Sequence, residues 1–453
     1  LHTAYRRQRQ MCIRDSIYSA LCTTFVAGLV LVACNDYDAA QTAYEEIVDS
    51  DVTITPPNMD SAWELQLIPN VGQHSGEVFV YKDKKYDKLF TRTLGWNGGI
   101  GVQSTLLSDG NVFWAFNDSY YGVVDAETRA RGNCNFPHNS IMVQTTVSGS
   151  LGETDDDLRW LVDYVQTNDP DGEGYYQAYA HIAPDETIMG ETDEEYFYQI
   201  GGATVFDNNG VEELQMLWGK YNEEKMTRTG TCLAVYSLEG QPGNSTYLKI
   251  ISKNEEFNID DVGYGSTMWK DEDGHIYLYV TENNRPLVAR TTTHDLASEW
   301  EYYIRDLNGN FIWQKMYPTK EERTRSTIME NNYVCSMPQI FRKGDYYYMV
   351  GQAKSYGHSV YLYRSETPYG PFTNQKILFN VPYSVDKIGN QYYKDLLRVN
   401  LHLELAREGE LVFSTNTDAD TVGDNFDFPG SADFCRPYFY RVFNWESIYD
   451  EDE

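Results

Sequence analysis

The distribution of apolar and polar residues along the chain repeats five times. In each repeat a short apolar segment is followed by a polar turn that contains glycine and then by a segment rich in Val, Ile, Phe and Tyr, as in Ser104–Phe116 and Ser266–Tyr279. This order is typical of a β-hairpin. The turn glycines are Gly110, Gly210, Gly274, Gly344 and Gly409.

The spacing of these glycines predicts the architecture. The intervals are 100, 64, 70 and 65 residues, and a four-stranded propeller blade with long loops needs about that much chain. Further apolar strands follow the hairpins, for example Asn139–Thr146, Cys232–Leu238, Pro286–Thr291 and Ser359–Arg364. We therefore predict an all-β chain that folds as a five-bladed β-propeller over residues 76–453, with Gly76–Lys82 as an extra strand that closes the ring and an acidic insertion near residues 151–195. An array of β-sandwiches is the alternative.

The amino-terminal segment is typical of an export signal. Ile17–Ala33 carries no charge and follows four arginines, which is the pattern of a secretory signal peptide over residues 1–33. Leu31–Cys34 resembles the lipobox of bacterial lipoproteins, and the acidic residues after it resemble the surface-export tag of Bacteroidetes lipoproteins. Lipid attachment at Cys34 would anchor the protein in the outer membrane or at the cell surface through a tether and lead-in over residues 34–75. The alternative is a signal peptidase I site beside an accidental Cys34, and Leu1–Ser16 resembles translated sequencing-adapter sequence.

Composition and charge narrow the choice of partner. The chain has 36 Lys and Arg against 68 Asp and Glu, a net charge of −32, which disfavours nucleic acid and, apart from the lipid anchor, anionic membrane surfaces. Its 37 Tyr, 19 Phe and 9 Trp suit both a β-rich core and stacking on sugar rings. We therefore expect a neutral polysaccharide or oligosaccharide as partner.

Cysteines and known motifs exclude several chemistries. Four cysteines beyond Cys34 are spaced about 100 residues apart without a C-x-x-C pair, so neither a zinc ribbon nor a redox pair is indicated, and both disulfides and buried free thiols stay open. The sequence contains no zincin, serine-hydrolase, P-loop or dinucleotide motif. We expect no cofactor and assign no metal ligand, although a channel cation such as calcium is compatible with a propeller.

The repeat also aligns polar residues. Eight positions after the turn glycine stand Asp118, Glu282 and Gln352, and seven or eight positions before it stand Gln103, Ser266, Ser336 and His402. Both sets lie at the end of the hairpin opposite the turn, which in a propeller is one mouth of the channel. Glycoside hydrolysis uses a pair of carboxyl groups, so Asp118 and Glu282 are candidate catalytic residues. The alternative is that each of them only fixes a loop.

Two kinds of passage resemble known families. Tyr361–Phe372 resembles an outer-strand segment of arabinanase-like and xylosidase-like propeller glycosidases. Arg92–Ser119, Phe136–Ser140, Asn400–Glu404 and Cys435–Tyr438 resemble a group of bacterial five-bladed propeller lipoproteins that is similar to the endo-D-arabinanase glycosidases. The likeness covers residues 88–445.

The resemblance implies a lipid-anchored glycoside hydrolase that acts on an arabinan-like polysaccharide. By position it implies Asp118 as a strand-end acid and assigns sugar or carboxylate contacts to Asn139, His402 and Arg436; Gln103 and Trp96 are further candidates for substrate binding. Ile100 departs from the relatives, in which an Asp is expected at this position, and an apolar side chain can neither take up a proton nor accept a glycosyl group. A non-catalytic glycan-binding lipoprotein and a structural propeller that docks other surface proteins are the alternatives.

Overall fold

The computed structural model describes most of the chain from Glu64 onward. The described residues are 64–68, 78–161, 164–167, 175–178, 180–184, 196–258, 261–329, 337–352, 357–381, 387–388, 391–392, 396–419 and 421–452. The predicted signal peptide, Cys34, most of the tether, part of the acidic insertion, Cys335 and Ser336 lie outside these residues. None of the helices in the described part is long and apolar enough to cross a membrane.

Five antiparallel sheets follow one another along the chain, and we number them as blades I to V. Blade I consists of Gln103–Leu106, Val112–Phe116, Ser140–Gln144 and Leu158–Trp160. Blade II consists of Tyr196–Asn208, Val211–Asn222, Thr227–Ser237 and Ile250–Asn258. Blade III consists of Thr267–Lys270, Ile276–Glu282, Arg285–Thr291, Trp300–Arg305 and Phe311–Gln314. Blade IV consists of Gln339–Lys343, Tyr346–Gln352, Ser359–Ser365 and Thr373–Asn380. Blade V consists of Leu396–Leu401, Glu410–Thr417, Tyr438–Phe443, Phe79–Asp83 and Leu65–Ile68.

Hydrogen bonds join each blade to the next around a closed ring. In order from blade I they connect Ile200 N to Asn117 Oδ1, Gly202 N to Gly265 O, Thr267 Oγ1 to Pro338 O, Leu401 N to Gln339 Oε1, and Ser104 Oγ to His402 Nδ1. A ring of five radial sheets is a five-bladed β-propeller, so the predicted architecture is confirmed and the β-sandwich array is excluded.

The hairpins are where the sequence predicts them. All five turn glycines, Gly110, Gly210, Gly274, Gly344 and Gly409, have a positive φ, between 59° and 94°. Four of them connect the first strand of a blade directly to the second, and in blade V the 3₁₀ turn Leu403–Leu405 intervenes before Gly409. Residues other than glycine rarely adopt this backbone conformation, so glycine is favoured at each turn.

Blade V is closed by the amino-terminal part of the described chain. Phe79–Asp83 pairs antiparallel with Tyr438–Phe443, as expected for the segment Gly76–Lys82. Leu65–Ile68 pairs in turn with Phe79–Asp83 and forms the outermost strand of the blade. The propeller sheet therefore starts at Leu65, within the segment that the sequence indicates as a lead-in, because Leu65–Ile68 continues the antiparallel pairing of the closing strand.

A buried charge cluster fixes this closing strand. Arg441 donates from Nε to Asp83 Oδ2 at 2.6 Å and from Nη1 to Glu410 Oε1 at 2.5 Å, and the three side chains are at most 1% exposed. Asp83 also caps the helix Lys84–Leu89 by accepting from the amides of Lys85 and Tyr86. A single guanidinium thus joins three strands of blade V and the first helix.

Further elements lie outside the blades. A three-stranded sheet of Leu94–Gly99, Ser119–Val124 and Arg131–Asn135 branches from blade I. Three short hairpins are formed by Thr146–Val147 with Ser150–Leu151, Tyr164–Thr167 with Tyr175–Ala178, and Lys387–Ile388 with Gln391–Tyr392. The other helical segments are Lys320–Arg325 and the 3₁₀ turns Asp155–Asp157, Leu403–Leu405, Val422–Asn425, Ser431–Asp433 and Trp445–Asp452. The predicted acidic insertion needs one correction: Leu158–Trp160 is the outer strand of blade I, because it pairs with Ser140–Gln144.

The buried Arg131 holds the three-stranded sheet against the segment that follows blade V's second strand. Its Nε donates to Asn97 Oδ1 at 2.8 Å, and its Nη atoms donate to backbone carbonyls of Asn97 and of residues 425–434. The guanidinium also lies 4.1 Å from the centre of the Tyr120 ring. The described cysteines Cys134, Cys232 and Cys435 are free thiols.

His402 connects blades I and V inside the core. It is fully buried; its Nδ1 lies 2.5 Å from Ser104 Oγ and its Nε2 lies 2.8 Å from Ser414 Oγ. Burial lowers its pKa to about 3, so the imidazole is neutral in the folded protein. The expectation of a channel histidine that contacts sugar is corrected by this placement, because both ring nitrogens are bonded within the protein.

We expect Arg441→Met to destabilise the protein by about 3–5 kcal/mol, because it leaves two buried carboxylates without their cation. The matched control is Arg342→Met, which removes an exposed ion pair with Glu272 at 3.2 Å and should cost about 0–1 kcal/mol. Denaturant unfolding of the three proteins measures both changes. Equal losses of stability in the two variants would contradict the role given to Arg441.

We expect His402 to make the protein sensitive to acid. The folded-state pKa of about 3 lies below the unfolded value of about 6.5, so the unfolded chain binds a proton first as the pH falls, and stability declines below pH 6.5. Between pH 7.5 and 5 this group costs about 2 kcal/mol. The stability difference between wild type and His402→Gln should shrink by that amount in unfolding experiments at the two pH values, whereas a constant difference would argue against a neutral buried imidazole.

Candidate active site

The channel of the propeller has two ends. The turn glycines mark the lower end, and the second strand of each blade runs from there to the upper end. An acid ends or follows this strand in four of the five blades: Asp118 in blade I, Glu223 in blade II, Glu282 in blade III and Asp418 in blade V. We call the end of the channel where these four acids lie the upper mouth. The predicted candidates Asp118 and Glu282 therefore lie at the same end of the propeller.

Asp118 belongs to a cluster with His138 and Glu223. His138 Nδ1 lies 3.0 Å from Asp118 Oδ1, and His138 Nε2 lies 3.4 Å from Glu223 Oε2. The imidazole stacks on Phe197 with 4.3 Å between ring centres. The side chains of Asp118, His138 and Glu223 are 7%, 15% and 15% exposed, so the cluster is largely shielded but reaches solvent.

Glu282 is engaged differently. It accepts from Arg323 Nε at 2.9 Å and from Arg323 Nη2 at 3.2 Å, and Arg323 also contacts Asp261 at 3.3 Å. Arg323 lies on the helix Lys320–Arg325 and is 5% exposed. Two charge-assisted hydrogen bonds from one guanidinium fix the position of this carboxylate. Glu282 shares no described contact with Asp118.

The loop of Gly99 and Ile100 lies between blades I and V at the upper mouth. Ile100 N donates to the backbone oxygen of Asp118 at 3.2 Å, and Asn416 Nδ2 donates to the backbone oxygen of Gly99 at 2.8 Å. The Ile100 side chain is partly buried against the core between the blades. Ile100, at whose position the relatives are expected to carry Asp, therefore lies between the chain segments that carry Asp118 and Asp418.

Asp418 is the acid on the blade V side of this loop. It is partly buried, and it accepts from the Cys435 thiol at 3.4 Å and from the amide of Ala419 at 2.8 Å. Burial raises the pKa of its carboxyl above the ordinary value, although the bonds from Cys435 and Ala419 oppose the rise. Asp418 is thus inclined to hold a proton at a pH where an exposed Asp has lost it.

Asn139 and Gln103, two of the predicted sugar contacts, differ in whether their side chains are free to bind a ligand. Asn139 is fully buried; its Nδ2 donates to the carbonyls of Ile182 and Tyr198, and its Oδ1 accepts from Ile182 N at 3.0 Å. Gln103 lines the channel but donates to Ser266 O at 2.8 Å. Gln103 can touch a ligand in the channel, whereas the amide of Asn139 is used up within the protein.

Trp96 and Arg436, two further expected sugar contacts, are core residues. Trp96 has no exposed surface, and its ring stacks on Trp160 with 4.5 Å between centres, so no face is left for a sugar. Arg436 is 8% exposed, pairs with Asp433 at 2.9 Å and covers the Tyr438 ring at 4.0 Å. The expectation of sugar contacts is corrected for both, because their functional groups are occupied inside the protein.

The sequence does not single out His138, Glu223 or Asp418. His138 lies within the passage Phe136–Ser140 that carries the family resemblance, and Asp418 lies nine positions after Gly409, one beyond the offset of Asp118. The long second strand of blade II moves Glu223 to thirteen positions after Gly210. Within the described part of the chain, no three His, Cys, Asp or Glu side chains form a group that would hold a metal ion.

Solved structures resemble this fold to different degrees. A protein from Bacteroides ovatus ATCC 8483, described as "a putative hydrolase", is 53% identical, with a TM-score of 0.81 over 89% of this chain and 100% of that chain. An exo-β-1,3-galactanase from Phanerochaete chrysosporium with β-1,3-galactotriose is 10% identical over 77% of this chain and 62% of that chain, with a TM-score of 0.38. A GH43_1 enzyme from Xanthomonas citri with xylotriose is 10% identical over 79% of this chain and 92% of that chain, with a TM-score of 0.36. At this distance neither of the last two bears on the activity.

Comparison with curated proteins finds no match. Among family models, the one described as "Domain of unknown function (DUF5005)" matches residues 83–445. The match runs from the closing strand of blade V through the four following blades to the last strand of the propeller. The chain therefore belongs to the DUF5005 family.

Proposed function

We propose that this protein is a glycoside hydrolase whose reaction takes place at the upper mouth. The observation that carries the proposal is the set of carboxyl groups at one end of the channel, in a chain 53% identical in sequence to a protein described as "a putative hydrolase". Glycoside hydrolysis needs one carboxyl group that protonates the leaving oxygen and one carboxylate that attacks or activates water. The upper mouth offers candidates for both roles.

We assign the two roles to Asp118 and Asp418. Asp118 has one oxygen on His138 and is the carboxylate, while the raised pKa of Asp418 suits a proton donor. They are attached to strands on either side of Ile100, so neighbouring segments supply the acid that this position lacks. Glu282, the second candidate from the sequence, is better explained as the anchor of Arg323 and its helix.

The substrate class follows from charge and from the resemblance. A net charge of −32 disfavours polyanionic chains, so we propose a neutral polysaccharide, and the likeness to endo-D-arabinanase glycosidases favours an arabinan. We further propose that the protein is exported and lipid-anchored through Cys34 at the cell surface, which would place the propeller beside polysaccharides too large to enter the cell.

A non-catalytic glycan-binding protein is the second candidate. Ile100 favours it, because its apolar side chain packs against the core at the position where the relatives are expected to hold an acid. The ion pair of Glu282 with Arg323 and the contact of Asp118 with His138 also favour it, since each carboxylate already has a partner within the protein. The glycoside hydrolase would cleave its polysaccharide, whereas the binding protein would only retain it.

We expect Asp118→Asn to lower hydrolysis of the preferred polysaccharide by about 10²–10⁴-fold, because the amide cannot replace the carboxylate. The protein starting after Cys34 is incubated with D-arabinan, L-arabinan and other neutral polysaccharides, and new reducing ends are measured. Asp156→Asn, an exposed change on the 3₁₀ turn Asp155–Asp157, is the control. No release of reducing ends by the wild type, with retention on one glycan in an affinity gel, would replace the hydrolase proposal with the binding protein.

For Asp418→Asn we expect a loss of hydrolytic activity whose size depends on the leaving group of the substrate. A polysaccharide needs protonation of the departing oxygen, whereas a dinitrophenyl glycoside leaves as a stable anion, so the variant should lose about 10²-fold or more on polysaccharide and much less on the activated substrate. The alkaline limb of the pH profile should also disappear. Equal losses on both substrates with an unchanged pH profile would remove Asp418 from the role of proton donor.

A further inference from the structure

The outer edge of blade III is exposed and apolar. Its last strand, Phe311–Gln314, pairs with Trp300–Arg305 on one side only and carries no charged residue. Natural edge strands are usually protected by charges, proline or a covering element, and an unprotected apolar edge indicates a surface that pairs with another strand. Of the eleven large apolar side chains that are exposed in the described part of the chain, four lie within residues 307–316: Leu307, Phe311, Ile312 and Met316, at 91%, 38%, 44% and 77%.

The hydrogen bonds of blade III show which way the backbone of this strand points. Asp306 N donates to Asn310 O at 2.8 Å where the hairpin turns. Bonded and non-bonded pairs alternate along an antiparallel ladder, so the next pair, Arg305 with Phe311, exchanges no backbone hydrogen bond. Arg305 agrees with this alternation, because its N–H donates to Ser326 Oγ at 2.8 Å, outside the hairpin. The N–H and C=O groups of Phe311 therefore point to the open edge.

The same alternation applies to the following residues of the strand. Ile312 exchanges its bonds with Ile304, whereas Trp313, opposite Tyr303, again points outward. Neither Phe311 nor Trp313 has another backbone hydrogen bond among the described residues. The edge thus presents two N–H and two C=O groups in the geometry that a further β-strand requires.

A second copy of this strand is complementary to these groups. When Phe311 of each copy faces Trp313 of the other, two antiparallel strands related by a two-fold axis at Ile312 exchange four backbone hydrogen bonds. Gly309 lies in the turn before the strand and Lys315 in a bend after it. A register shifted by two residues in either direction would pair Phe311 or Trp313 with one of them and lose bonds, so the free groups select a single register.

The side chains match in the same register. Ile312 of one copy faces Ile312 of the other in a non-hydrogen-bonded pair, the kind in which side chains come closest. On the opposite face of the sheet, Phe311 faces Trp313 twice, and cross-strand aromatic pairs of this kind stabilise a sheet. Phe311 already stacks on Tyr303 with 4.9 Å between ring centres, so the contact would extend an existing row of aromatic rings.

The local charge also permits a second copy at this edge. The whole chain has a net charge of −32, so a contact between two copies requires a surface without an excess of negative charge. Residues 299–325, which contain the strand and both its flanks, carry five acidic and five basic residues. The strand therefore lies in a locally neutral region, where a second copy meets no excess of like charge.

We propose that two copies of this protein associate through the last strand of blade III, so that the five strands of this blade in one copy continue into the five of the other. The contact lies on the perimeter of the propeller, at the strand of the blade farthest from the channel. It does not involve the upper mouth, so it is independent of the proposed function. Because few side chains are buried, we expect a Kd on the order of 10 µM.

The test is sedimentation velocity of the protein starting after Cys34, over concentrations from about tenfold below to about tenfold above this Kd. We expect the wild type to shift from monomer to dimer. Ile312→Lys places two ammonium groups against each other at the two-fold axis and should raise the Kd at least about tenfold. The matched control Ile251→Lys changes an isoleucine of similar exposure, 51%, on the outermost strand of blade II, and should leave the Kd unchanged. Both side chains are exposed, so both variants should fold.

Hydrogen exchange locates the contact. The amides of Phe311 and Trp313 should be protected in the dimer and exchange quickly in Ile312→Lys, because pairing with a second copy supplies their acceptors. A wild type that remains monomeric at every concentration would overturn the proposal. A dimer that persists in Ile312→Lys, or one in which these amides stay unprotected, would overturn it too, because the copies would then meet at another surface.

Discussion

Closure of the ring by Arg441 is the interaction on which the remaining structure depends. The ring closes in blade V, whose outer strands Leu65–Ile68 and Phe79–Asp83 come from the start of the described chain and whose inner strands come from its end. Strand pairing alone would leave Phe79–Asp83 as a short added strand. The guanidinium binds this strand through Asp83 and the neighbouring second strand through Glu410, all three being inaccessible to solvent. The buried charges are costly individually and acceptable only as a complete cluster.

The closed ring explains why the two ends of the channel differ. Each blade turns at a glycine at the lower end and finishes its second strand at the upper end, so the acids after these strands gather on one side. At the upper mouth nearly every described carboxylate has a partner, such as His138 for Asp118 or Arg323 for Glu282. These partners hold the carboxylates in place at the end of the channel where the second strands finish.

The sequence predicts what is local and repeated, and it fails where the answer depends on which face of a strand is covered. The turn glycines and the strands around them involve only near neighbours in the chain, so the number of blades can be counted from the sequence alone. Trp96, Asn139, His402 and Arg436 are buried because of neighbours from other blades or from distant loops, and nothing near them in sequence reveals this. The offset from the turn glycine locates Asp118 but misses Glu223, since the second strand of blade II is longer than that of blade I. Leu65–Ile68 escapes prediction because four residues are too few for a clear pattern.

Arg131 has a consequence for how the family can vary. Its Nη atoms bind the backbone oxygens of Asn97, Asn425, Ser431, Ala432 and Phe434, and it uses no carboxylate as a direct partner. The Nη atoms of Arg131 therefore bind the segment 425–434 through its chain path, while side chains such as Ser431 and Asp433 make separate bonds with Arg131 N, Arg129 and Arg436. Evolution can exchange the side chains of this segment for others without losing the bonds to the Nη atoms, provided that the guanidinium stays and no insertion or deletion alters the path. Lysine could not substitute for this arginine, because a single ammonium cannot donate to carbonyls spread over the planar fork.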